Sequence, residues 1–131
     1  MKHLIIILFA ALCCVGCSQY VAVTGTVTYS DGTPVTRGQV VFENETFLGR
    51  ADVQSDGSYR MGRLKDGDGI PSGTYRVYLS DTDIYEPPAG GEEGVWIARP
   101  QVHAKYTNAD TSELTCTVEG RTVFNFVVER P

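Results

Sequence analysis

No run of lysines or arginines occurs anywhere in the 131 residues, and acidic side chains outnumber basic ones, 16 to 11, for a formal net charge of -5. Phosphate backbones are gripped by basic faces, so nucleic acid is not an expected partner. Histidine is scarce: His3 stands at the start and His103 alone farther on. Beyond residue 17 the only cysteine is Cys116. A single thiol closes no internal disulfide and builds no cysteine-rich zinc site, so no metal or other cofactor is expected. No apolar stretch reaches the about 20 residues that a membrane-spanning helix needs. Helical periodicity and internal repeats are both missing.

What is present begins with an export pattern. Met1-Lys2-His3 is followed by an uncharged run from Leu4 to Val15, a basic start and roughly 12 apolar residues, as in a secretory signal. Cys14-Val15-Gly16-Cys17 resembles the lipobox of bacterial lipoproteins, in which small residues precede a cysteine that receives a diacylglyceryl group. The resemblance implies a signal peptide over residues 1–16, lipidation of Cys17 with palmitate-type chains, a tether over 17–19 and a domain over 20–131. Cys14 stands where leucine is usual. Ser18 follows the cysteine, with no aspartate there to hold the protein at an inner membrane, so the expected location is exported and lipid-anchored, at the outer membrane. Two or three acyl chains make such an anchor stable, because each buried methylene contributes about 0.8 kcal/mol.

The rest of the chain alternates at period two, with turn residues between the alternating runs. Val21, Val23, Gly25, Val27 and Tyr29 share one face, and Ser30 to Pro34 make a turn. Further strands are expected at Gln39 to Glu43, Arg50 to Gln54 and Ser58 to Met61, the last two joined by Ser55-Asp56-Gly57, with Asn44 to Leu48 ambiguous. Thr74 to Ser80 is the strongest strand, with Tyr75, Val77 and Leu79 inward. Two more strands present Leu114, Cys116 and Val118, then Phe124, Phe126 and Val128. Cys116 reads as a small buried hydrophobe. Short strands with turns every 8–12 residues are the pattern of an all-β sandwich.

Five pieces in order carry a resemblance: Val23-Thr24-Gly25-Thr26-Val27, Asp31-Gly32-Thr33-Pro34-Val35, Gly38-Gln39-Val40-Val41-Phe42, Ser55-Asp56-Gly57-Ser58-Tyr59 and Ile70-Pro71-Ser72-Gly73-Thr74-Tyr75-Arg76-Val77. Together they resemble carboxypeptidase-regulatory-like domains, which share the transthyretin-like (prealbumin-like) fold. The resemblance implies a seven-stranded Greek-key β-sandwich, no enzymatic activity and a structural or protein-interaction role at the cell envelope. One branch of that fold hydrolyses a purine-degradation intermediate with several histidines and a C-terminal Tyr-Arg-Gly-Ser. This chain offers His103 alone and ends Val128-Glu129-Arg130-Pro131.

Candidate functional residues are few. Ser112 and Asp110 lie near His103, but no Gly-x-Ser-x-Gly nucleophile elbow accompanies them. Asp66-Gly67-Asp68-Gly69 echoes the start of a calcium loop. Counted from Asp66, the twelfth residue is Val77 where an EF-hand needs glutamate, so Asp66 and Asp68 leave only a looser site as the alternative to a plain glycine turn. The long segment from Asp81 to Pro100 holds Tyr85, Trp96 and Arg99 among several carboxylates. Loops of that length in small domains are often functional. Either Trp96 folds back over the end of the sandwich, or Tyr85, Trp96 and Arg99 contact an envelope protein or, as the alternative, a glycan.

Overall fold

The computed structural model describes residues 20–62, 67–91 and 93–131. The expected signal peptide, Cys17 and the tether therefore lie outside the described residues, as does Asp66. Among the described residues the chain is all-β, with short 3-10 turns and no α-helix.

One sheet has four strands in the order β10 (Leu114–Val118), β7 (Gly73–Ser80), β3 (Gln39–Glu43) and β4 (Leu48–Asp52), all antiparallel. The other is built on β2 (Val23–Tyr29). On one side of it runs antiparallel β5 (Ser58–Arg60); on the other run parallel β11 (Thr122–Val123) and β12 (Phe126–Val128). A short pair, β1 (Tyr20–Val21) with β6 (Ile70–Pro71), closes the end where the domain begins.

Alternation sends Val40, Phe42, Tyr75, Val77, Leu79, Cys116 and Val118 of the first sheet toward Val23, Val27, Tyr59, Phe126 and Val128 of the second, and all of these are buried in one core. This is a β-sandwich, and the inward faces are those the alternation predicts. Val41, outward by alternation, is also buried, between its cross-strand neighbours Arg50 and Tyr78. Long side chains on a solvent face can cover a valine in this way.

Several strand ends shift by one or two residues from the sequence expectation, and two differences have a visible cause. The third strand starts at Leu48 rather than Arg50, because the ambiguous stretch before it is a hairpin turn. The Asn44 carboxamide oxygen accepts from Thr46 N (3.0 Å) and Phe47 N (2.9 Å), an Asx arrangement that turns the chain early. The last strand is broken at Phe124-Asn125, and the break has a clear cause.

In a regular parallel ladder at this register, Thr26 N–H would donate to the Phe124 carbonyl. Instead it donates to the Asn125 side-chain oxygen at 3.0 Å. The Phe124 carbonyl turns over Gly25 and accepts from the hydroxyl of Tyr59, which is Gly25's partner on β5. Only glycine fits beneath: a Cβ at Gly25 would lie 1.9 Å from the Phe124 oxygen and 2.6 Å from the Tyr59 hydroxyl oxygen. One swapped hydrogen bond thus crosses three strands.

The tie predicts an order of effects in urea denaturation. Gly25→Ala should cost about 3 kcal/mol or more, as an overpacked site with no room to relax. Tyr59→Phe should cost about 1–3 kcal/mol, the usual penalty for a carbonyl left without its donor. A Gly25→Ala midpoint equal to that of the parent protein would contradict this assignment.

Candidate functional site

Asp81 carries a positive φ of 53° and turns the chain out of β7. The segment that follows, expected as an irregular loop, is a two-stranded ribbon: β8 (Ile84–Glu86) pairs antiparallel with β9 (Ile97–Arg99). Ile84-Tyr85-Glu86 and Ile97-Ala98-Arg99 form the strands at either side of a Pro87-Pro88 corner and a 3-10 turn at Ala89–Gly91, and the β-favouring Val95 and Trp96 lead into the second. Each strand is only three residues long, so the prolines and glycines between them dominate the local composition.

The ribbon is fastened at its base by Gln101, one of the few buried polar residues. Its amide nitrogen donates to the Thr82 carbonyl at 2.7 Å, joining the two ends of the excursion. Its side-chain oxygen accepts from Thr36 N (3.4 Å) and the Thr36 hydroxyl (3.3 Å), and its backbone carbonyl accepts from the Tyr29 hydroxyl at 2.6 Å. Burial raises the Tyr29 phenol above its ordinary pKa and keeps it a donor. The Arg130 guanidinium stacks over the Tyr29 ring at 4.0 Å and pairs with Asp31 at 3.2 Å. No sequence signal marks Gln101 or Thr82 for this role, since their partners lie up to 72 residues away.

Beyond the clasp the ribbon carries its apolar side chains to solvent. Tyr85 is 52% exposed, Trp96 58% and Val95 87%, with Ile84 and Ile97 similarly open. Trp96 therefore does not cap the sandwich. Arg99 pairs with Glu86 at 2.6 Å across the ribbon, and the Arg37 guanidinium lies 5.5 Å from the Tyr85 ring centroid. Tyr85 and Arg99 lie on the two paired strands, and Trp96 immediately precedes the second. A hollow of ≈ 490 Å³ lies beneath it, edged by Asp81, Asp83, Tyr85, Pro100, Thr107 and Pro131.

A second hollow, ≈ 530 Å³, lies on the second sheet beside the Gly25 pinch, with Thr24, Thr26, Ser58, Arg60 and Asn125 around it. Among the described residues it holds hydroxyls and one guanidinium but no histidine, cysteine or carboxylate. The residues weighed as a hydrolytic set are engaged separately. The Ser112 hydroxyl is buried and donates to the Val77 carbonyl at 2.6 Å. Asp110 pairs with Arg76 at 2.7 Å, and His103 Nδ1 accepts from Lys105 N at 3.1 Å. Cys116 is buried, and burial raises its thiol pKa. Asp68 lies in an exposed turn between Gly67 (φ 88°) and Gly69 (φ 84°). Among the described residues no three histidine, cysteine or carboxylate side chains gather where a metal could be held.

No family model matches the chain, and no curated protein matches it. Among solved structures, the crystal structure of a DUF3823 family protein from Bacteroides ovatus ATCC 8483 is similar, with 17% identity and a TM-score of 0.48. The match covers 85% of this chain and 45% of that one, so this chain spans less than half of that protein's length.

The clasp should matter more than the visible ion pair. Gln101→Ala leaves the Thr82 carbonyl without its buried donor, which costs about 1–3 kcal/mol. Amide hydrogen exchange at 84–86 and 97–99 should then quicken by about tenfold or more. Glu86→Gln breaks only an exposed pair, worth about 0–1 kcal/mol, and should leave those rates nearly unchanged. Equal effects of the two changes would refute the clasp.

Proposed function

We propose that this chain is a non-enzymatic, membrane-tethered β-sandwich that holds the Ile84–Arg99 ribbon away from the membrane as a contact surface for a cell-envelope protein. Its finer fold is the seven-stranded transthyretin-like Greek key. Four strands in one sheet, and β5, β2 and the interrupted β11–β12 line in the other, support that reading, together with the ordered motifs of the sequence.

One observation carries the functional reading: the ribbon and the start of the domain lie at opposite poles. Both β2 and β7 begin beside the β1–β6 pair, and both end at the ribbon base. There the Tyr29 hydroxyl meets Gln101, and Gln101 meets Thr82. The eight residues of β7 separate the poles by about 25 Å. With lipid on Cys17, the apolar ribbon faces outward from the bilayer. Exposed aromatic and aliphatic side chains grouped on one projecting element are what anchors a protein interface. Export, the Cys17 anchor and the outer-membrane location belong to the same proposal and rest on the lipobox pattern.

A photo-activatable benzoyl-phenylalanine replacing Trp96 should give one discrete crosslinked adduct in intact cells. The same probe at Val127, equally open but on the sheet, should not. Adding Ile97→Glu to the Trp96 probe should abolish the adduct. If both positions crosslink alike, or neither does, the ribbon is not the contact.

A second reading, glycan binding, is favoured by the exposed Trp96 and Tyr85 rings beside the Glu86 carboxylate, groups that stack on a sugar and accept from its hydroxyls. Trp96 is the only tryptophan, so its fluorescence reports the ribbon directly. A saturable blue shift with one oligosaccharide of a panel is expected on this reading. A constant spectrum across the panel removes it.

A further inference from the structure

We propose that the pole opposite the ribbon rests directly on phospholipid headgroups, with Tyr20 and Leu48 at the interface. This rests on the reading of Cys17 as the lipidated residue. An extended chain spans at most about 3.6 Å per residue, so Tyr20 lies within roughly 11 Å of the Cys17 backbone. The headgroup layer on one side of a bilayer is itself roughly 5–8 Å deep. A tether that short cannot hold the domain clear of the surface.

The residues at that pole suit such a seat. Tyr20 is 43% exposed and Leu48 37%. The Tyr20 ring meets Phe47 edge-on at 6.2 Å, which links the two sides of the patch. Tyr20 is no swinging tail, because Tyr20 and Val21 pair with Pro71 and Ile70, and Ile70 is fully buried. The Asn44 turn fixes Phe47 and Leu48 beside it. Tyrosine is favoured where hydrocarbon meets headgroup, since its ring is apolar and its hydroxyl polar. Among the described residues, exposed charges near the patch carry both signs, with Glu45, Asp68 and Glu119 against Arg121. The described charges give no basic patch, so the seat we propose is aromatic and aliphatic and should form without anionic lipid.

The test uses the full-length lipidated protein in vesicles of phosphatidylethanolamine and phosphatidylglycerol with brominated acyl chains, which quench nearby tryptophan. Flotation with the vesicles reads the anchor, and quenching reads the seat. Trp96→Phe/Leu48→Trp and Trp96→Phe/Tyr20→Trp should float, lose emission and shift to the blue, with or without phosphatidylglycerol. The parent protein should float with Trp96 emission unchanged. Flotation of both variants without quenching overturns the seat and leaves the anchor standing. Quenching of Trp96 instead overturns the orientation. Failure of the parent protein to float, or flotation undiminished by Cys17→Ser, overturns the anchor and the seat with it.

Discussion

The Tyr59 hydroxyl reaches across β2 to a carbonyl that a regular ladder would have given to Thr26, and much of the sandwich is arranged to permit it. Gly25 must have no side chain, Asn125 must replace the lost acceptor, and Tyr59 must be buried deeply enough that its phenol stays neutral far above the ordinary range. The contact also orders the core. Tyr59 packs near Phe42 and Phe126, and Phe124 meets Phe42 edge-on at 6.0 Å. Both sheets therefore converge on one aromatic cluster, which is held by the Tyr59 bond to the Phe124 carbonyl and by the Tyr75 hydroxyl donating to the Pro71 carbonyl. Burial of the apolar core supplies the driving force; the directional bonds select which arrangement it stabilises.

How far this was legible in the sequence varies with the range of the interaction. Two-residue alternation located the inward faces of β2, β3 and β7, because a strand's side-chain period does not depend on its partners. A lone glycine amid valines and threonines, such as Gly25, is a signal of close backbone approach. Its counterpart could not be read, since Phe124 lies 99 residues on. The break in the last strand follows from that same unseen contact. Gln101 was illegible for a similar reason: a glutamine after a proline looks like surface until Thr82, Thr36 and Tyr29 close around it.

The candidate site was half visible. Tyr85, Trp96 and Arg99 stood out as aromatic and charged residues in a segment rich in proline and glycine. Whether Trp96 turned inward or outward depended on strands of three residues, too short for periodicity to declare them. Once paired, β8 carries Tyr85 off the sandwich and Trp96, next to β9, is open as well, and isolated two-stranded ribbons are marginal in water. Such an element keeps its shape here because Gln101 fixes its base, not because its own faces are covered.

The clasp also separates two kinds of evolutionary freedom. Thr82 and Gln101 are joined to each other and to Thr36, so the nineteen-position span between their numbers begins and ends on one fixed doorstep. Inside that doorstep length and composition can drift, because no described residue of the ribbon tip belongs to the aromatic core. The ribbon is in that sense an exchangeable cassette, and a foreign hairpin grafted between the same two residues should leave the scaffold as it is.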